Sequence, residues 1–345
     1  MLKLKKFLKK IYQETKAYIV DSWFFLLTLL VIFVVMTYQL PYYIDTGGGT
    51  IAIDDRIQIE NETKSEGSFN MAYVSEVRAT VPTYLLSYVF NTWERVRIAD
   101  TKIDPTETQE DVEIRDHLYL DTANQTAIQL AYEKAGKEFH ITDQKTRIAY
   151  VAQGAITDLQ VGDTILSIDG EDVSNFDSLT AIVNTKHVGD VLSLQVLRNE
   201  TEVSATATIQ GTEENKIIGI TLMQKYEYET DPEITLSFLA SESGPSGGLL
   251  LSLAIYDKLI DEDLTKGYKI VGTGTISADG SVGAIGGVTY KLRGAVNSKA
   301  DLFIVPAGEN YEDAMALKEE KGYDIDIIGV RTFDEAVEAL RNYQG

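Results

Sequence analysis

The chain has 345 residues, no cysteine, three histidines, and 53 Asp and Glu against 31 Lys and Arg, for a formal net charge of −22. Disulfides and thiolate metal sites are thereby excluded, and the scattered histidines leave no recognisable transition-metal constellation. The acidity argues against nucleic acid as a partner and serves chiefly to keep the chain soluble. No cofactor is expected.

Residues 1–21 form a basic segment in which, up to residue 20, Lys3, Lys5, Lys6, Lys9, Lys10 and Lys16 face a single Glu14 and alternate with Leu2, Leu4, Phe7, Leu8 and Ile11. That pattern predicts an amphipathic helix on an anionic inner leaflet. From Ser22 to Leu40 the chain is apolar and uncharged, about the length that crosses a hydrocarbon core, so residues 22–41 read as a transmembrane signal anchor. The lysine-rich flank places the N-terminus in the cytoplasm and everything after Pro41 outside a single-pass cell membrane. Thr37-Tyr38-Gln39-Leu40 lacks a small-x-small cleavage site, which favours an anchor over a removed signal peptide. The absence of cysteine fits a Gram-positive cell surface.

Residues 42–118 form a membrane-proximal β segment, with strand-like stretches at Thr50 to Ile53, Ser68 to Ala79 and Trp93 to Ile98, and a polar loop from Asp100 to Glu113. Asp121 to Gly136 carries Ala127, Leu130, Ala131 and Ala135 on one helical face. Residues 119–212 then hold Ile148 to Val151, a turn at Gln153-Gly154-Ala155, and Leu159 to Gly170, with turns at Gly162-Asp163 and Asp169-Gly170. A helix is expected from Asn175 to Thr185 and closing strands at Leu192 to Leu197 and Val203 to Ile209.

This middle unit resembles a bacterial PDZ domain. The resemblance implies a partly open β-barrel with flanking helices, in which an extended peptide adds as a strand to a sheet edge. By position, the groove falls to Arg147, Ile148, Ala149, Tyr150 and Val151, opposite the helix Ser178 to Asn184. The family's glycine-containing carboxylate-binding loop is due at Thr142 to Thr146, where no glycine stands, which argues against capture of a free C-terminus. A packing module without peptide affinity is the alternative.

The last segment, residues 213–345, contains Gly244-Pro245-Ser246-Gly247-Gly248 at the mouth of an apolar helix, Leu249 to Leu259. G-x-S-x-G also fits an α/β-hydrolase elbow, but that fold needs a histidine after the serine, and His117, His140 and His187 all precede it. A helix N-cap is the bland reading of Ser246. Lys291 follows Gly286-Gly287-Val288-Thr289-Tyr290 in another glycine-rich, apolar stretch. A lysine can take a serine's proton only when its own amine is neutral, which burial can achieve. Short strands at Leu302 to Val305 and Ile325 to Val330 alternate with helices at Tyr311 to Lys321 and Phe333 to Asn342, an α+β pattern.

From Pro232 onward the chain resembles the proteolytic domain of Lon-type Ser-Lys proteases, on Gly244 to Gly248, Thr273-Gly274-Thr275-Ile276, Gly280-Ser281-Val282 and Gly286 to Lys291 in that order. Two departures stand out: Gly247 replaces the family's alanine, a change that reads as sterically mild, and Ser243 replaces its aspartate. The resemblance implies Ser246 as nucleophile, Lys291 as base and Thr273 as the lysine's hydrogen-bond partner. An active-site loop of Gly244, Pro245 and Gly247 would then supply oxyanion donors. Most of the chain is similar to the membrane-anchored PDZ-Lon proteases of Gram-positive bacteria, some of which, in streptococci, trim secreted peptide pheromones while others degrade membrane proteins. The overall class expected is α+β: an N-terminal transmembrane helix, a Lon-type domain completed by strands from 42–118, and a PDZ insertion. A separate stalk domain is the alternative for 42–118.

The expected function is an ATP-independent serine endopeptidase acting on extracellular peptides or exposed protein segments, because the chain contains no G-x-x-x-x-G-K-[ST] element. A non-catalytic PDZ scaffold and an esterase are the rival readings. The expected partners are a peptide or protein substrate and the membrane, with neither nucleic acid nor ATP, and the sequence is compatible with an oligomer.

Overall fold

The computed structural model describes residues 2–60, 62–90 and 92–345. It divides the chain into two units, residues up to 46 with 76–101, and residues 47–75 with 102–345. In the first, α1 (Leu2–Asp21) and α2 (Trp23–Thr37) meet at Ser22 in a bend of 71°. At 15 residues α2 is about 22 Å long by the 1.5 Å helical rise, against roughly 30 Å of bilayer hydrocarbon. The uninterrupted span expected over 22–41 is therefore not one helix. Tyr38 turns extended, and Gln39 and Leu40, followed by Pro41, already belong to β1 (Gln39–Ala52). Among the described residues no single helix is long and apolar enough to cross a membrane, although α1 and α2 pass that test together as a bent pair. The first half of β1 pairs antiparallel with a later strand, Glu94–Arg97, Tyr42 opposite Arg97.

The second unit holds β2 (Ile57–Ile59) and most of β3 (Ser68–Thr80), the strand that leads into α3 (Val81–Leu86) and then β4 (Glu94–Arg97) of the first unit. Helix α4 (Gln109–Ala135) begins inside the tract expected to be a loop. A capping box between Thr108 and Asp111 starts it, and Arg115 is paired with Glu107 in the interior, so a sequence that looks merely polar has its charges consumed locally.

Beyond the central unit come β13 (Ile234–Leu236), α6 (Gly248–Leu259), β14 (Lys269–Gly272), the short β15 (Thr275–Ile276) and β16 (Val282–Gly283), α7 (Val288–Asn297), β17 (Leu302–Pro306), α8 (Glu309–Lys321), β18 (Asp326–Val330) and α9 (Phe333–Asn342). Strands β3, β14, β17 and β18 run parallel as neighbours, and β2 pairs with β13. Alternation along β17 sorts the two cores: Leu302 and Ile304 pack in the layer of α4, α6 and α9, whereas Phe303 and Val305 pack with α7 and α8. A sheet covered on both faces needs strands apolar at every position, and all five residues of β17 are buried. The ends of β14 and α6 are thereby fixed on a rigid core.

The central unit runs through β5 (Glu138–Val151), β6 (Thr164–Ile168), β7 (Glu171–Asp172), α5 (Phe176–Asn184), β8 (Val191–Arg198), β9 (Thr201–Thr208), the hairpin β10 (Gln210–Thr212) and β11 (Asn215–Ile217), and β12 (Ile220–Asp231). Its sheet has the order β12-β5-β6-β8-β9 around a separate core that includes Ile148, Ile168, Leu179, Leu194 and Ala207. Asp169 and Gly170 take positive φ in the expected tight turn, and Asn175 caps α5 through Ser178. Asp163 is buried and accepts from Nε and Nη2 of Arg198 at 2.8 and 2.6 Å. Removing it strands a guanidinium, so Asp163→Ala is expected to destabilise this unit by about 3 kcal/mol, read from urea unfolding followed by a probe within residues 136–209.

Candidate active site

Ser246 lies in the turn just before α6, whose N-cap is Gly247, so the serine is one residue short of the cap position itself. Three contacts hold this turn. Gly244, at φ +83°, donates its N–H to the main-chain carbonyl of Asp116 on α4 at 3.1 Å. Glu242 grips Arg56, Nη2 to Oε1 at 2.6 Å. The Ser246 carbonyl accepts from Gly274 N–H at 2.8 Å and from the Thr273 hydroxyl at 3.0 Å.

Thr273 is fully buried where β14 ends, its N–H bonded to the Ile304 carbonyl of β17. Lys291 projects from the first turn of α7 and is only 4 % exposed. Its Nζ donates to Thr273 Oγ1 at 3.1 Å. Because the threonine's own proton is given to the Ser246 carbonyl, its oxygen can only accept from the lysine. The bonds of 3.1 and 3.0 Å put Nζ within about 6 Å of the Ser246 carbonyl oxygen. The three residues singled out from the sequence thus share one site, but the Ser246 hydroxyl itself makes no hydrogen bond among the described residues.

Burial pulls the Lys291 amine down to about 8. No carboxylate pairs with it among the described residues, and the positive end of α7 acts in the same direction. At pH 7 about a tenth of such an amine is neutral, against fewer than about one in a thousand for a solvated lysine. The N–H groups of Ser246 and Gly247 have no protein acceptor among the described residues, whereas Gly248 and Leu249 donate to Pro245 and Gly274 carbonyls. Two donors next to a half-buried hydroxyl and a base of lowered pKa are the parts that acyl transfer needs.

The space at Gly247 is bounded by a flexible side chain and by no backbone atom. A Cβ there would lie 2.5 Å from Sδ of Met71 on β3. Met71 is a site residue that sequence reasoning missed, since only the pairing of β3 with β14 brings it there.

The cleft beside α5 is lined mostly by residues other than those expected for a peptide groove. Strand β5 is paired with β12 along its length and with β6 at Thr146 and Arg147, so Arg147 is flanked by a strand on both sides. Of the five expected residues only Tyr150 lines the groove, an open cleft of about 400 Å³ between α5 and the start of β12. Thr142 to Thr146 is strand, not loop. The cleft is bordered by a glycine-containing turn at the other end of the unit, Ile217-Ile218-Gly219-Ile220, with Gly219 at φ +73° beside Ala155. A glycine flanked by isoleucines just before a strand was the available signal. Phe176, Leu179 and Val183 of α5 face it, and Lys216 Nζ ties the loop to the Asn184 carbonyl at 3.0 Å.

Comparison with known proteins agrees with this unit. The family model described as PDZ domain matches residues 136–209. These residues form a PDZ domain. Similar solved structures include the PDZ domain of an SdrC-like protein from Listeria monocytogenes, 22% identical over 22% of this chain and 85% of that one, with a TM-score of 0.21. Another is its counterpart from Listeria innocua, 20% identical over 23% of this chain and 92% of that one, with a TM-score of 0.21. Lon protease 2 of Bacillus subtilis (strain 168) is 32% identical over 134 residues, 38% of this chain. The match spans 22% of that protein's length.

Two stability measurements probe the site. Lys291→Met is expected to stabilise the protein by up to about 3 kcal/mol at pH 7. Below pH about 8 the wild-type amine is charged in both folded and unfolded states, and the cost of burying that charge is fully present. Between about 8 and the ordinary value near ~10.4 the unfolded chain holds the extra proton, so wild-type stability rises with pH and the gap closes. Urea midpoints at pH 7 and 10 read this directly. Because the Met71 side chain can swing aside, Gly247→Ala should cost no more than about 1 kcal/mol, and a double-mutant cycle with Met71→Ala should give a pair cost below the sum of the two singles.

Proposed function

We propose that this chain is a membrane-anchored, ATP-independent serine endopeptidase of the Lon type, in which Ser246 attacks the scissile carbonyl and Lys291 takes its proton. Lys291 later returns that proton to the leaving amine, Thr273 orients Lys291, and the N–H groups of Ser246 and Gly247 receive the oxyanion. The observation that carries this reading is the buried, carboxylate-free amine of Lys291, lowered to about 8 and linked through Thr273 to the Ser246 turn. The partial likeness to Lon protease 2 supports it. In this proposal the strands within 42–118 complete the proteolytic domain, a view supported by the pairings of β2 with β13 and β3 with β14. The PDZ domain is then an insertion whose groove between α5 and β12 receives an extended segment of the substrate. Substrates are peptides or exposed, already unfolded stretches, secreted signalling peptides among them.

Anchoring rests on α2, whose apolar side chains are all exposed, and on the basic α1 before it. The catalytic region then lies outside the cell membrane.

Peptide cleavage by the full chain in detergent tests the mechanism. Wild type should show kcat/KM rising about tenfold per pH unit up to an inflection near pH 8. Ser246→Ala and Lys291→Met should each lose about 10³-fold or more, and Thr273→Val about 10²-fold. Equal activity in wild type and all three variants would remove the dyad. A wild type that binds peptides in the groove and cleaves none would favour a non-catalytic PDZ scaffold.

A further inference from the structure

Residues of the first unit present an apolar, aromatic surface that the proposed chemistry does not use. Leu85, Tyr88, Val89 and Phe90, on α3 and just after it, are 60, 63, 73 and 46 % exposed. Their exposure is built in, because the surrounding rings brace one another. Tyr84 packs on Tyr42 with centroids 4.9 Å apart, Tyr88 stands edge-on to Tyr84 at 5.7 Å, and Trp93 lies against Phe90 at 5.0 Å. Arg95 sits 4.1 Å over the Tyr88 ring and donates to the Ser87 carbonyl and hydroxyl. The surface is continuous with α2: α3 contacts α2, and Tyr42 lies five residues beyond the end of that helix.

We propose that this surface is a second membrane contact, with α3 and the turn after it seated in the headgroup region of the bilayer that holds α2. The inference rests on the reading of α2 as the anchor. Its chemistry is that of an interfacial belt, where tyrosine and tryptophan place an apolar body against acyl chains and a polar tip in water. Arg78 is exposed in the same unit and can reach a lipid phosphate, whereas Arg97 is held by Asp100 and Arg95 by Ser87 and the Tyr88 ring. A reason for it lies in length: α2 is about 8 Å shorter than the hydrocarbon core, and an apolar shelf beside its C-terminal end lowers the cost of that mismatch.

The chain has two tryptophans, one on each element, Trp23 on α2 and Trp93 beside Phe90. Full-length Trp93→Phe and Trp23→Phe proteins, reconstituted in phosphatidylcholine–phosphatidylglycerol bilayers, therefore report the anchor and the shelf separately. With acyl chains brominated near the headgroup, Trp93 emission should shift to the blue and lose roughly half its intensity, as expected for an element buried 5–10 Å into the interface. Bromines at the chain ends should leave it nearly unchanged. Adding Leu85→Ser and Val89→Ser should abolish the Trp93 signal and leave Trp23 quenching intact. If Trp23 is quenched and Trp93 is not, the shelf is wrong while the anchor stands. If neither is quenched, the anchor reading itself fails. A blue shift of Trp93 that follows protein concentration and ignores bromine would assign the surface to contact between copies and overturn the lipid proposal.

Discussion

A primary amine without a carboxylate beside it is held inside the C-terminal core, and much of the local architecture can be understood as what it takes to keep it there. Lys291 reaches its position because α7 starts at Gly287 against the sheet, and it stays dry because the strands β14 and β17 and the helices around them bury apolar side chains on both faces. The single neutral partner, Thr273, gives the amine a direction without giving it a countercharge. A carboxylate in that place would raise the amine's proton affinity and remove it from the range where it can act as a base near neutral pH. The cost is carried as stability, which is the usual relation between a working site and the fold that holds it.

The nucleophile turn is positioned by three different parts of the chain. Its carbonyl is held by the end of β14, its glycine by α4, and its acidic residue Glu242 by Arg56. Helix α4 also lies against β12, accepting the Tyr226 N–H at Gln125 Oε1 with a bond of 2.9 Å. The groove strand and the serine turn consequently lean on the same helix at different points along its length.

Much of the C-terminal segment was readable because its elements are short, strongly patterned and locally capped: α9 matches its expected bounds, Phe333 to Asn342, and α6 differs by one residue. The PDZ turns were readable for the same reason, since Asp169-Gly170 and Asn175 act through neighbours only two or three residues away. What escaped notice depended on partners far along the chain. Strand β12 is polar enough to pass for a linker, and it becomes a strand by pairing with β5, some 80 residues earlier (Tyr228 against Ile141). That pairing runs along Arg147 to Val151, and the cleft opens at Ile220. Met71 at the serine turn was invisible for the same reason, and α4 was cut short because its first turns carry charges satisfied by one another. The apolar stretch after Asp21 was conspicuous, but composition alone does not reveal that the helix ends at Thr37.

The clamp on the Ser246 carbonyl has an effect beyond steering the lysine. That carbonyl and the Gly247 N–H belong to one planar trans amide, so they point in opposite directions and cannot turn independently. With Thr273 Oγ1 and Gly274 N–H both fastened to the oxygen, the amide plane is held, and the Gly247 hydrogen is aimed away from them. Any crankshaft rotation that withdrew this hydrogen would have to break two bonds together. In the proposed chemistry, one threonine hydroxyl would therefore set the orientation of two groups that face the substrate, the Lys291 amine and the Gly247 dipole.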